Sequence, residues 1–282
     1  MKNVNKILML PLAILLAGCN DKAEEAVPAL PVTTSLNILL EADCGSRIPD
    51  HADFFIFSSA GTCPLEYYER VEGDTACRAE YEGIAGDKTA VCIIDSPWSF
   101  NIEALSRYSS IEELSLELND DNPESPVMTG RTEFSTDGEG EAETCIQVTP
   151  LLCRIEVSRI INEIGGYTLV EDPVLYLRDI NTEAELLRTN GFRQKETGLC
   201  SRTETLAHDI GAYGIEPHAV FWVYPNDMRD TGAGTPATSI VLEGTVRGEK
   251  CSYSVPIPPF GRGGSISATL TLEKDKATAE FN

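Results

Sequence analysis

Apolar residues recur at every second position in this sequence, in short runs broken by glycine, proline, asparagine and aspartate, and few folds tolerate that pattern. A period of two puts alternate side chains on one face of a strand, whereas a helix would need a period of 3.6. Leu36, Ile38 and Leu40 alternate in this way and predict a strand over residues 33–42. The run Asp53-Phe54-Phe55-Ile56-Phe57 predicts a short, largely apolar strand closed by a turn at Ser58-Ser59-Ala60-Gly61. Further strands are expected over residues 65–71, 76–81 and 89–95, with Gly86-Asp87 marking a hairpin turn. Residues 102–107 and 111–118 fit the helical period better, with Ser110 as N-cap and Glu113 three positions on. After a polar break at 119–125, strand signals resume over 127–134, followed by a turn at Asp137-Gly138-Glu139-Gly140. A long β-rich run, 143–161, carries Pro150 at its middle. Proline cannot donate to a ladder, so Pro150 marks an edge or a crossing between domains, and the domain boundary is placed there. Beyond it the pattern predicts a strand over 173–179, a short helix over 182–188 and a loop-rich stretch over 189–216. Strands are expected over 219–224, 239–247, 250–257, 265–273 and 277–281. Many short strands with few helices argue for an all-β chain built of β-sandwiches. No repeat of fixed period is present.

The beginning of the chain has a different logic. Lys2 and Lys6 precede an apolar run over residues 7–17, which contains Pro11 and ends at Leu16-Ala17-Gly18-Cys19. A spanning helix needs about 20 apolar residues, so this run suits a secretory signal better than a membrane span. Leu-Ala-Gly-Cys resembles a bacterial lipobox, in which cleavage between Gly18 and Cys19 leaves the lipidated cysteine as the new N-terminus. Residues 1–18 are thus read as a lipoprotein signal peptide and 19–32 as a lipidated tether. An ordinary secreted chain with an incidental Cys19 is the alternative. Asp21, Glu24 and Glu25 resemble the acidic tract that sends Bacteroidetes lipoproteins to the outer face of the outer membrane, although a plain solvated tether accounts for the same residues.

The formal charge is −23, and losing Lys2 and Lys6 with the signal peptide would leave about −25. Such a surface repels phosphate backbones, so no nucleic-acid partner is expected. Nine cysteines are present. With Cys19 set aside, Cys44, Cys63, Cys77, Cys92, Cys145, Cys153, Cys200 and Cys251 remain. An even number in an exported chain fits disulfides, but their pairing cannot be read from spacing, and buried free thiols are the competing reading. The candidate pair is Cys77 with Cys92, flanking the turn at 83–87. Adjacent hairpin strands bring Cβ atoms to about the 3.5–4.5 Å that a disulfide needs.

Candidate chemistry is sparse. Asp230-Thr231-Gly232-Ala233 copies the loop of aspartic proteases, yet only one copy occurs and a polar segment precedes it, which favours a solvated turn. His51, His208 and His218 belong to no nucleophile motif. No Cys-x-x-Cys pair supports zinc. Acids at 119–124 could offer oxygen ligands to calcium but lack ordered loop spacing. Gly261-Arg262-Gly263-Gly264 most simply supplies turns between strands. Neither an enzyme, a metal nor a cofactor is expected.

Several segments, taken in order, resemble the fimbrillins of Bacteroidales, the type V pilins. They are the lipobox, DFFIFSSAG (53–61), GDKTAV (86–91), PVMTG (126–130), CRIEV (153–157), TSIVLEGT (238–245), CSYSVP (251–256) and GRGGSISATL (261–270). The resemblance implies two transthyretin-like β-sandwich domains, 33–149 and 150–282, with short helices in the connections. It implies assembly with other fimbrial subunits through strand exchange, attachment to the outer membrane by the lipid anchor, and adhesion to a host protein or glycan. In such pilins an arginine-specific protease cuts the loop after the first strand. Arg47, the basic residue between the first two strands here, is the matching candidate, and residues 265–282 of a neighbour are the candidate donor. The cysteine content is higher than is usual in these pilins, which brings tip and anchor roles into play beside the stalk. A non-polymerising surface lipoprotein that binds a glycan or host protein is the alternative.

Overall fold

The computed structural model describes residues 31–40, 48–73, 76–136, 142–188, 199–226 and 236–282. Cys19, Cys44, Arg47, the turn at 137–140 and the motif at 230–233 lie outside the described residues.

The first half contains β1 (Pro31–Leu40), β2 (His51–Ser58), β3 (Leu65–Glu72), β4 (Arg78–Ile84), β5 (Gly86–Ile94), α1 (Tyr108–Glu112), β6 (Ser115–Glu117), β7 (Met128–Thr136) and β8 (Ala142–Pro150). Seven of these strands are bonded in the order β3-β2-β5-β7-β8-β1-β4. β7 and β8 meet only at Met128↔Pro150 and Thr129↔Thr149, so β3-β2-β5-β7 and β8-β1-β4 act as two sheets joined at one corner. Between them lie Phe54 and Ile56 of β2, Ala90 and Cys92 of β5, Ala79 and Tyr81 of β4, and Ile146 and Val148 of β8.

The second half contains β9 (Cys153–Asn162), β10 (Val170–Asn181), β11 (Glu183–Glu185), β12 (Leu199–Thr205), β13 (Ala219–Val223), β14 (Ser239–Val246), β15 (Glu249–Pro256), β16 (Ser265–Leu272) and β17 (Ala277–Phe281). Sheet β12-β10-β14-β15 faces sheet β13-β9-β16-β17, and their inward residues, among them Leu175, Leu242, Ile155 and Leu270, form one core. That core continues into the first half through Phe55, Phe57, Val91 and Ile93. β2 is therefore covered on both faces, which is why its sequence is a continuous apolar run and does not alternate.

Several local expectations are overturned. Neither 102–107 nor 111–118 forms a helix: residues 102–105 are turns, α1 spans only Tyr108–Glu112, and residues 115–117 form β6. The residue at its N-cap is Arg107, without a side-chain cap, and not Ser110. Residues 182–188, expected as a helix, supply β11, which pairs with β6 at Ala184↔Leu116 and so stitches the halves together. Residues 199–205, within the expected loop, are a strand. The predicted hairpin at 83–87 is also absent. β4 pairs with β1, whereas β5 pairs with β2 and β7, so the chain crosses between sheets there. Cys77 and Cys92 accordingly do not face each other across a ladder, and both are free thiols. Burial, followed by the charges of Asp53 and Cys77, pushes the Cys92 thiol well up, so it remains protonated and packs as a small hydrophobe.

Candidate functional site

β1 occupies a slot with a neighbour on each side. It runs antiparallel to β4 from Pro31↔Ile84 to Asn37↔Arg78, and parallel to β8 from Thr34↔Ala142 to Leu40↔Val148. Main-chain bonds on both edges hold it, and an apolar floor lies beneath. Without β1, β4 and β8 would each present an unpaired edge, and edges of that kind accept a strand of matching direction.

The slot's far wall, β4, has a clasp of its own. Tyr67 of β3 donates its hydroxyl to the Glu80 carbonyl oxygen at 2.8 Å. Its ring meets that of Tyr81 edge to face, with centroids 5.6 Å apart. Tyr81 is buried and donates to Glu66 Oε2 at 2.6 Å, and Lys88 Nζ, itself 3% exposed, donates to Glu66 Oε1 at 2.9 Å. Burial alone would raise the Glu66 pKa, but Lys88 and Tyr81 outweigh it and hold the carboxyl below its usual value. Burial and the Glu66 carboxylate push the Tyr81 hydroxyl upward. The Tyr81 ring also lies over Gly83, where a Cβ would stand 1.7 Å from its hydroxyl oxygen. β4 is thus tied to β3 by side chains while β1 provides its backbone ladder.

A second buried charge stiffens the neighbouring strands. Asp53, fully buried on β2, accepts from Arg70 Nε at 2.9 Å and Nη2 at 2.8 Å, and from the Tyr68 hydroxyl at 2.8 Å. Arg70 also reaches the Trp98 carbonyl oxygen at 2.6 Å. Burial and Asp53 push the Tyr68 hydroxyl up to about 12. A buried carboxylate in an apolar strand needs such a bidentate partner.

Two polar contacts lock the halves together. Arg262, in the turn before β16, donates to the carbonyl oxygens of Leu186 (3.1 Å) and Thr149 (2.8 Å) and to Thr129 Oγ1 (2.6 Å). Gly263 at φ +64° makes that turn. The Gly261–Gly264 segment expected to be only a turn thus also carries an inter-half clamp. Tyr224 donates to Asp121 Oδ2 at 3.2 Å, while Asp121 Oδ1 accepts from the Val127 N–H at 2.9 Å. The acid weighed as a calcium ligand has a structural use.

The histidines are peripheral: His51 contacts the Ser96 carbonyl oxygen at 3.1 Å, and His218 contacts Glu156 at 3.1 Å. Among the described residues no group of three or more His, Cys, Asp or Glu is arranged to hold a metal ion. Ile48, which follows Arg47, is 56% exposed, and Pro49 is buried. The C-terminal segment ends in β17, an edge strand bonded to β16 from Ala268↔Phe281 to Leu272↔Ala277. β16 itself is internal, parallel to β9 on its other side.

Sequence reasoning located β1 and the C-terminal strands but missed the clasp, the Asp53–Arg70 pair and the Arg262 clamp. A signal existed: Asp53 and Lys88 stand in apolar strands, and a charge in such a run implies a buried partner.

No protein-family model and no curated protein matches the sequence. Solved structures do match the fold. A candidate cell adhesion protein from Parabacteroides distasonis superposes with a TM-score of 0.68 at 11% identity, covering 90% of this chain and 96% of the other. A fimbrilin from Porphyromonas gingivalis gives 0.63 at 10% identity, with 89% and 96% covered. A tip fimbrial protein of Porphyromonas gingivalis, truncated at its C-terminus, gives 0.57 at 11% identity, with 89% and 98% covered. Across nearly its whole length, the chain has the all-β fold of these fimbrial and adhesion proteins.

Proposed function

We propose that this chain is a structural subunit of surface fimbriae that assembles by donor-strand exchange and supports cell adhesion. The observation that carries the reading is the seat of β1, an internal strand paired on both edges and placed in the sequence just before Arg47. Signal-peptide cleavage after Gly18 and lipidation of Cys19 would deliver the chain to the outer membrane as a closed monomer, its own β1 filling the groove. Cutting after Arg47 would remove the anchor and release β1 from its covalent tie. A neighbour's C-terminal strand would then enter between β4 and β8, with main-chain bonds supplying affinity and alternate side chains supplying register. The fold shared with fimbrial proteins supports this reading.

The test treats the full-length protein with an arginine-specific protease and follows the products. A new N-terminus at Ile48, followed by ladders or filaments, is expected. A cut product that stays monomeric, or a loop that resists cutting under conditions that process a fimbrillin, would refute it. A second reading, a monomeric surface lipoprotein binding a glycan or host protein, draws on Tyr167 and Tyr213. These rings are 87% and 92% exposed on the loops after β9 and β12, where they are free to stack on a sugar. A stable monomer that gains thermal stability with a glycan would favour it.

A further inference from the structure

Within the slot, Thr34 of β1 fits poorly. Thr34 is fully buried, and its Oγ1 finds no hydrogen-bond partner among the described residues. Its cross-strand neighbours are Tyr81 on β4 and Ala142 on β8. Tyr81 cannot satisfy it by donation, because its hydroxyl is held by Glu66, which Lys88 also occupies. The core between the two sheets, which includes Phe54, Ile56, Ala79 and Cys92, is built of apolar side chains. A buried hydroxyl without a partner loses its water and gains nothing in return, whereas a methyl group at the same place has no such penalty. The polar groups at this station are committed to one another, and the chain's own strand places there a hydroxyl that none of them engages.

We propose that Thr34 makes β1 a deliberately weak occupant, and that the groove selects a strand of a second copy of this chain that carries an aliphatic side chain opposite Tyr81. The inference rests on the strand-exchange reading and names the determinant of its direction. β1 and a donor make equivalent main-chain bonds to β4 and β8, so the preference between them comes from side chains. Within residues 265–282 the edge strand β17 supplies a suitable face, since Ala277, Ala279 and Phe281 alternate along it and are only half-buried, whereas β16 is held on both sides by β9 and β17. That face places no polar side chain toward a core. Within the groove, exchange thus replaces an unsatisfied hydroxyl by hydrocarbon and leaves the ladders to β4 and β8 equivalent.

The test compares wild type with Thr34→Val, which keeps the β-branched shape and removes the hydroxyl. Thr33→Val, at the neighbouring half-buried position, serves as control. Each full-length protein is cut with the arginine-specific protease and mixed with a synthetic peptide of residues 265–282, and release of the N-terminal fragment is followed. Thr34→Val should retain its fragment about tenfold longer than wild type, equivalent to about 1.4 kcal/mol, and its uncut form should unfold at a higher urea concentration. Thr33→Val should do neither. An unfolding midpoint for Thr34→Val equal to or below that of wild type overturns the inference, whatever the peptide does. A raised midpoint with equal release rates also overturns it, by showing that the hydroxyl does not govern exchange. Failure of wild type itself to release its fragment would instead count against strand exchange, and the unfolding midpoints would still decide whether Thr34 is the weak point of β1.

Discussion

Asp121 should make the protein less stable as pH rises from acid to neutral, against the usual trend for carboxylates. Its side chain is 5% exposed, and burial raises its pKa from 3.8 to about 6, outweighing the Val127 N–H and the Tyr224 hydroxyl that favour the charged form. The folded state therefore holds this proton more tightly than the unfolded chain does. The stabilisation is complete below the unfolded value near 3.8 and is lost as pH climbs through about 6. A difference of about two pH units corresponds to roughly 3 kcal/mol. Other carboxylates titrate in the same range, so the contribution is isolated by comparison with Asp121→Asn, which stays neutral and keeps an acceptor for the Val127 N–H. Urea unfolding from about pH 4 to about pH 7.5 should show the two proteins nearly equal in acid, with the variant ahead by roughly 3 kcal/mol at the upper end. A gap independent of pH, or a wild type that gains on the variant as pH rises, would refute the argument.

Three further outcomes follow from the contacts described. Arg262→Met should lower stability by about 1–3 kcal/mol in urea unfolding, because it removes the cation that joins the part-buried Thr149 and Leu186 carbonyl oxygens and leaves Leu186 only the Thr129 hydroxyl; a loss below about 0.5 kcal/mol would refute the clamp. Gly83→Ala should cost about 1–3 kcal/mol, since its Cβ would collide with a Tyr81 ring that Glu66 holds in place; an unchanged unfolding midpoint would show that the clasp is loose. Cys19→Ala should leave the precursor uncleaved by lipoprotein signal peptidase and absent from the outer-membrane fraction, and normal processing of the variant would reject the lipobox.

The element types were readable wherever a single face is buried. Along β9, buried Cys153, Ile155 and Val157 alternate with half-buried Arg154, Glu156 and Ser158, and local periodicity is enough to name such a strand. It failed where two periods coincide. Ile111 and Leu114 have helical spacing, while Leu114, Leu116 and Leu118 alternate as in a strand. The outcome was set by β11, a partner almost 70 residues away, which the sequence also disguises with helix-forming Glu and Ala. Lys88 signalled a buried partner, but which partner was not readable: Glu66, Tyr81 and Lys88 lie on three different strands and meet only because β3 and β4 end up as neighbours at the closing seam of the sheet order.

By itself, the sequence determined that the chain is all-β, where most strands lie, and that it is strongly acidic. These properties depend on each residue's own chemistry and its nearest neighbours in the chain. Tertiary structure alone decided that β4 leaves its apparent hairpin partner β5 to pair with β1, because Phe54 and Ile56 on one sheet need Tyr81 and Ala79 on the other to cover them. It also decided that Thr34 is a buried hydroxyl without a partner. In the sequence Thr34 is one polar residue among several at the start of a strand. Only the arrangement of β4 and β8 around it removes the water that would otherwise satisfy it.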